Sequence, residues 1–166
     1  MPLCKITPQA TNRFCCLVIG QAGTGKTSLL RTIMGQEYDQ ESREWKQSRE
    51  PTEKVLTLSA ESGLLCVRDL VEQGMVEGYE IGSLQDFREA QAMLMTPEFR
   101  ERYGWIFIDS LTEISSRCVE AMRMKHQSGS DTFKMWGEYN DAMTLLIKAF
   151  RDMRDYNVVF TCLESA

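Results

Sequence analysis

The sequence predicts an α/β domain with a mainly parallel sheet of about five strands flanked by helices. Apolar runs of strand length alternate with helical patterns along the chain, which is typical of parallel strands joined by helical crossovers. A glycine-rich motif follows the first run, and a later run ends on an aspartate. The 166 residues suit one domain covering residues 1–166.

Five short apolar runs are the predicted strands. They are Phe14 to Ile19, Val55 to Leu58, Tyr79 to Ile81, Trp105 to Ile108 and Val158 to Phe160. The polar stretch from Gly35 to Glu53 is the one clear shift in composition, and we interpret it as an excursion from the domain instead of a linker.

Helices are predicted between most of the strands. One helix follows the glycine-rich motif from Ser28 to Met34, and another carries Leu64, Val67 and Val71 at helical spacing and ends at Gly74. Two capping boxes each predict the start of a helix. They are Ser83-x-x-Asp86 and Ser110-x-x-Glu113.

A longer helix is predicted to begin near Asp131. Its apolar residues fall mostly on one side, which we expect to pack in the core. They are Phe133, Trp136, Met143, Ile147, Phe150 and Met153.

Composition excludes several classes of function. No apolar run approaches the roughly 18 residues of a membrane span, and no secretion leader is evident, so we expect a cytoplasmic protein without membrane contact. The net charge of −5 argues against coating of duplex nucleic acid. The six cysteines form no C-x-x-C pair, which predicts buried free thiols instead of a metal or redox site.

The glycine-rich motif has the spacing of a P-loop, G-x-x-x-x-G-K-[ST], and lies between a strand and a helix. We expect its backbone N–H groups to surround phosphate oxygens, Lys26 to reach the β- and γ-phosphates of ATP, and Thr27 to bind Mg²⁺. The predicted nucleotide-binding residues of this segment are Gly20, Gln21, Ala22, Gly23, Thr24, Gly25, Lys26, Thr27 and Ser28.

Asp109 ends the apolar run Trp105 to Ile108, in the manner of a Walker B acid. We expect it to hold Mg²⁺ or its waters opposite Thr27. Two glutamates compete to activate the attacking water. Glu61 follows the run Val55 to Ala60, whereas Glu113 lies one helical turn beyond Asp109 and is already explained by its capping box, so Glu61 is favoured.

Three segments together resemble the cores of RecA-type recombinases. Val55 to Leu64 looks like their strand-plus-glutamate segment, Trp105 to Leu111 like their Walker B strand, and Asn157 to Glu164 like the next core strand. With the P-loop, the combination most closely resembles the RecA-like ATPases of bacteriophages, including single-strand-annealing proteins related to RecA. The resemblance covers nearly the whole chain, from Phe14 to Glu164.

The resemblance implies an ATPase that hydrolyses ATP with Mg²⁺, acts in phage DNA recombination or single-strand annealing, and packs as a homo-oligomer. Carried over to this sequence, it makes Glu61 the water-activating residue and Glu164 a sensor of the γ-phosphate. Recombinases usually have glutamine at this last position, and a carboxylate facing phosphate is repelled unless a cation intervenes. Family cores also continue beyond this strand, so the end at Ala166 suggests either a C-terminally truncated core or a shortened member of the family.

A single-stranded DNA contact is expected between Arg117 and Lys134, where RecA-type cores place a DNA-binding loop. Arg123, Lys125 and Lys134 are its candidate contacts, and the polar residues 126–130 its candidate loop. A solvated connection between helices is the alternative.

Two other functions remain open. A small-molecule or nucleotide kinase shares the P-loop but usually has an arginine-bearing lid, which the sequence does not display. A non-catalytic module would retain the nucleotide pocket without turnover. A GTPase is disfavoured because the sequence has no N-K-x-D motif.

Overall fold

The computed structural model describes residues 13–61, 64–126 and 132–164. Its centre is a five-stranded sheet in the order β1-β7-β6-β4-β5, with every neighbouring pair parallel. The strands are β1 (Cys15–Gly20), β4 (Lys54–Ser59), β5 (Val76–Glu80), β6 (Tyr103–Asp109) and β7 (Asn157–Leu163). This confirms the predicted fold class, and each strand contains or overlaps one predicted run.

Six α-helices lie in the described part of the chain. They are α1 (Leu29–Ile33), α2 (Arg68–Glu72), α3 (Leu84–Leu94), α4 (Pro97–Arg102), α5 (Leu111–Lys125) and α6 (Thr132–Arg151), and a short 3₁₀ helix (Leu64–Val67) precedes α2. The capping box at Ser83 and Asp86 has both of its hydrogen bonds. At the start of α5, the Ser110 side chain accepts from the Glu113 N–H, but no bond from the Ser110 N–H to the Glu113 carboxylate is present among the described contacts. Helix α4, which begins with Pro97 in its first turn, was not predicted.

Two apolar clusters cover the two faces of the sheet. On one face, Leu30 of α1 and Leu70 of α2 pack against Val55, Phe107 and Val159. On the other face, side chains of α3, α5 and α6 pack against β4, β6 and β7; they include Phe87, Leu94, Ile114, Met143, Leu146 and Phe150. Burial on both faces explains why the three inner strands, β4, β6 and β7, are nearly continuous apolar runs. The edge strands β1 and β5 are exposed in part.

The polar excursion forms an antiparallel hairpin of β2 (Gln36–Asp39) and β3 (Glu44–Gln47). Gly35 joins it to α1 with φ of 77°, and a Cβ there would meet the Arg49 carbonyl oxygen at 2.2 Å. The Gly35 carbonyl accepts bonds from the N–H groups of Ser48 and Arg49. Glycine is therefore required where the hairpin returns to the body of the domain.

Two expectations about burial are wrong in part. Phe133 and Trp136 at the start of α6 are 88% and 42% exposed, because the buried stripe of this helix runs through Met135, Met143, Leu146 and Phe150. Among the described cysteines, Cys118 is buried but Cys15 and Cys66 are exposed. Cys4 and Asp131 lie outside the described residues.

No helix in the described ranges is long and apolar enough to cross a membrane.

Candidate active site

The candidate site lies at the carboxyl edge of the sheet, where parallel strands bring several of the predicted residues together. The P-loop leaves the end of β1 and turns through Gly23 and Gly25, with φ of 77° and 84°. These left-handed conformations favour glycine. A Cβ on Gly20 would also lie 2.9 Å from the Thr24 hydroxyl. The local backbone thus explains the glycines of the motif.

The loop from Gln21 to Gly25 is exposed, whereas Lys26, Thr27 and Ser28 are half-buried as the chain turns into α1. The N–H groups of Leu29, Leu30 and Arg31 bond to the carbonyls of Lys26, Thr27 and Ser28 respectively. Helix α1 therefore starts from a tight turn formed by the last two motif residues and Ser28.

Lys26 folds back on the start of its own loop. Its Nζ donates to the Gly20 carbonyl at 2.9 Å and to the Gln21 carbonyl at 2.7 Å. An ammonium carries three donors on a flexible stem, so the same group can turn to phosphate oxygens when an anion enters the loop.

Thr27 and Asp109 meet directly. The Thr27 hydroxyl donates to Asp109 Oδ2 at 2.6 Å. Thr27 lies in the loop after β1 and Asp109 ends β6, and β7 lies between these two strands in the sheet. From β7, the Thr161 hydroxyl donates to Asp109 Oδ1. Asp109 is only 4% exposed, so these two hydroxyls provide hydrogen bonds that offset the cost of burying its carboxyl group.

The pair suits Mg²⁺. Hydroxyl and carboxylate oxygens are ligands that this hard cation takes, at about 2.1 Å in an octahedron, which sets neighbouring ligand oxygens about 3 Å apart. Thr27 Oγ1 and Asp109 Oδ2 would need to separate only slightly from their observed hydrogen bond. The donor set and its spacing therefore fit the metal that the sequence predicts.

Glu61 lies just beyond β4 and is tied to this same edge. Ser110, the residue after Asp109, donates its hydroxyl to Glu61 Oε1 at 2.8 Å. The Ser59 hydroxyl bonds the Glu61 carbonyl and accepts from the Glu61 N–H at 3.2 Å. Glu61 is thus connected to the Thr27–Asp109 pair through one neighbouring residue.

Glu113 faces a different partner. Its carboxylate lies 3.5 Å from Nε of Arg117, one helical turn along α5. Arg117 in turn donates to the carbonyls of Ile81, at 2.9 Å, and Ala60. Arg117 therefore joins the ends of β4 and β5 to α5, although the sequence suggested only a solvated cation of the candidate DNA-binding segment.

Glu164 follows β7 beside the beginning of the P-loop. Its N–H donates to the Gly20 carbonyl at 3.1 Å, and its side chain is exposed. Its backbone is therefore close to the predicted phosphate site.

The candidate DNA residues lie on two helices. Arg123 and Lys125 are exposed near the end of α5, and Lys134 is exposed at the start of α6. Lys125 pairs with Glu138 at 2.7 Å, and hydrogen bonds from Lys125 and then His126 hold the pKa of Glu138 below its usual range. This pairing reduces the local positive charge. Residues 127–131, which contain most of the candidate loop, lie outside the described residues.

Three contacts of the site were not predicted. They are Ser110 to Glu61, Thr161 to Asp109 and Arg117 to the Ala60 carbonyl. The strand runs could have indicated Thr161, because a polar residue in an otherwise apolar buried strand needs a partner. The other two contacts join segments 49 and 57 positions apart, and no local pattern marks them.

Comparison with known proteins supports the same class of site. No curated protein matches the chain. The family described as an AAA domain matches residues 12–165, nearly the whole chain. With its P-loop at the carboxyl edge of a parallel sheet, the chain therefore belongs to the AAA domain family of nucleotide-binding P-loop ATPases.

Proposed function

We propose that the protein is a Mg²⁺-dependent, RecA-like ATPase that acts on single-stranded DNA in phage recombination or strand annealing. The observation that carries the ATPase proposal is the 2.6 Å hydrogen bond between Thr27 and Asp109, with Glu61 tied to the residue next to Asp109. The proposed phosphate loop, metal-binding pair and base thus share one edge of the sheet. The DNA part rests on the resemblance to RecA-like cores.

In this proposal, Lys26 leaves the Gly20 and Gln21 carbonyls and donates to the β- and γ-phosphate oxygens of ATP. The N–H groups of the loop add further donors to the same oxygens. Thr27 and Asp109 would hold Mg²⁺, and the cation would offset the negative charge on the phosphate oxygens. Glu164, beside Gly20, is the proposed sensor of the γ-phosphate.

Glu61 is the proposed base that orients water and accepts its proton. Its Oε1 is fixed by Ser110, while the second oxygen of a carboxylate can accept a proton from water. Glu113 is less suited, because its carboxylate lies against the guanidinium of Arg117 on the next turn of α5.

The decisive experiment measures hydrolysis of Mg²⁺·ATP by the whole chain, with and without single-stranded DNA. Turnover that single-stranded DNA stimulates supports the full proposal. Turnover that DNA leaves unchanged supports the ATPase and contradicts the DNA role. Binding of ATP without turnover in either condition indicates the non-catalytic module, and turnover only with a phosphate acceptor indicates a kinase. Sedimentation of the same samples tests the proposed homo-oligomer.

A further inference from the structure

Ser110 joins the candidate base to the candidate metal ligand. We propose that Ser110 is a positioning residue, whose hydroxyl holds the Glu61 carboxylate in place beside Asp109. This inference rests on the proposed function, in which Glu61 accepts the proton of the attacking water. It assigns to Ser110 a role in turnover beyond that of capping a helix.

The hydroxyl of Ser110 has two partners with different chemistry. It accepts from the N–H of Glu113 at 3.4 Å, as an N-cap residue does, and it lies 2.8 Å from Glu61 Oε1. An N–H can only donate and an ionised carboxylate can only accept, so the one hydroxyl proton is directed at Glu61. Ser110 is 1% exposed, which removes water as a competing partner for that proton.

The backbone on both sides of the Glu61 side chain is fixed independently. Ser59 bonds both the N–H and the carbonyl of Glu61, and Arg117 donates to the carbonyl of Ala60. The Ala60 N–H also donates to the Asp109 carbonyl at 3.0 Å. The remaining freedom of Glu61 is rotation of its own side chain, since the residue is exposed. The bond from Ser110 restricts that rotation.

The same bond sets the position of the base relative to the metal ligand. Asp109 is held by Thr27 and Thr161, and Ser110 follows it directly in the chain. The Glu61 carboxylate, hydrogen-bonded to Ser110, is therefore held at a fixed position relative to Asp109, because the two bonded residues Asp109 and Ser110 are adjacent in the chain. Because catalysis depends steeply on the placement of reacting groups, loss of this bond should lower turnover and leave nucleotide binding intact.

The test compares Ser110→Ala with Ser83→Ala. Ser83 is the control cap because its hydroxyl also accepts from the N–H three residues on, at 3.3 Å, and caps α3 without a hydrogen bond to Glu61 or Asp109 among the described residues. Both variants should lose thermal stability, and Ser110→Ala should lose more, because Ser110 is buried and makes a second hydrogen bond whereas Ser83 is exposed. Only Ser110→Ala should lower kcat, by about 10- to 100-fold, with ATP affinity and the Mg²⁺ requirement unchanged within about twofold.

Coupling to Glu61 separates positioning from a general structural effect. In a Glu61→Gln background, which already lacks the base, Ser110→Ala should lower kcat by less than about twofold. Ser110→Gly provides a second variant if the alanine chain folds poorly, because glycine is tolerated at an N-cap and also removes the hydroxyl.

Three results would overturn the inference. If Ser110→Ala and Ser83→Ala have equal kcat while Glu61→Gln is inactive, Ser110 is only a cap and the proposed base stands. If Ser110→Ala lowers kcat as strongly in the Glu61→Gln background as in the native chain, Ser110 acts through another group. If Glu61→Gln turns over ATP at the native rate, the base assignment fails and the role of Ser110 fails with it.

Discussion

Thr27 Oγ1 and Asp109 Oδ2 lie 2.6 Å apart, although 82 positions separate the two residues in the chain. One comes from the P-loop after β1 and the other from the end of β6, with β7 between these strands. The fold therefore brings the two proposed metal-ligand oxygens next to each other, and each can be altered separately from Lys26, the proposed phosphate-binding residue.

Replacing Asp109 with asparagine should weaken the apparent affinity for Mg²⁺ by about 10- to 100-fold, the range typical for damage to a metal site's supporting groups. The amide keeps the shape of the side chain but removes its charge. Titrations of ATP at several Mg²⁺ concentrations measure the effect, and Asp39→Asn, in the hairpin, is the control. Unchanged Mg²⁺ dependence would remove Asp109 from the metal site.

Replacing Lys26 with alanine should weaken ATP binding by about 10- to 150-fold, because a hydrogen bond to a charged group contributes about 1.5–3 kcal/mol. Isothermal titration calorimetry measures this. Lys46→Ala is the control, since Lys46 is an exposed lysine of β3 that pairs with Asp39. Equal affinities of the native and Lys26→Ala chains would contradict the P-loop assignment.

Glu61→Gln should lower ATP turnover by about 10²- to 10⁴-fold, the usual contribution of a general base, and leave ATP affinity unchanged. Glu113→Gln should retain most of the turnover, since its partner is Arg117. Steady-state hydrolysis of both variants decides between the two acids. The reverse order of activities would make Glu113 the base.

Replacing Arg123, Lys125 and Lys134 together with alanine should abolish single-stranded DNA binding and any DNA stimulation of hydrolysis, and spare ATP affinity. The few phosphate contacts predict a shallow salt dependence, with a slope of about 0.7 per contact. Fluorescence anisotropy of a labelled oligonucleotide measures binding.

The matched control for that variant removes Arg88, Lys46 and Lys148. Like the test variant, it removes one arginine and two lysines, all of them exposed. Lys46 forms an ion pair with Asp39, as Lys125 does with Glu138. DNA binding that falls equally in both variants would indicate a general charge effect and exclude a specific contact at the end of α5 and the start of α6.

Gly35→Ala should destabilise the fold by more than about 1 kcal/mol, because it combines a positive φ with a Cβ 2.2 Å from the Arg49 carbonyl oxygen. Gly137→Ala is the opposite control. Gly137 lies within α6 with no atom near its added Cβ, so alanine should stabilise the helix by about 0.5–1 kcal/mol. Urea unfolding of both variants measures the difference, and a neutral Gly35→Ala would mean that the hairpin junction can relax.

The amino-acid sequence by itself determined the parallel α/β class, the five central strands and the glycines of the P-loop. These features are local. Strands buried on both faces need continuous apolar runs, and a phosphate loop needs small residues at fixed spacing. The Ser83 cap could also be predicted, because its partner Asp86 lies three residues away.

Tertiary structure decided what each polar side chain contacts. Arg117 and Lys125 both appeared in the sequence as cations of one segment, yet Arg117 bonds carbonyls at the ends of two strands and Lys125 pairs with Glu138. Phe133 and Trp136 have the spacing of the other apolar residues of α6, which predicts burial, but both side chains are exposed. The sequence predicts Ser110 only as a helix cap, whereas the fold brings the Glu61 carboxylate to its hydroxyl. The physical reason is that a local pattern fixes the direction of a side chain along its own element, whereas its partner depends on the order in which distant strands pack.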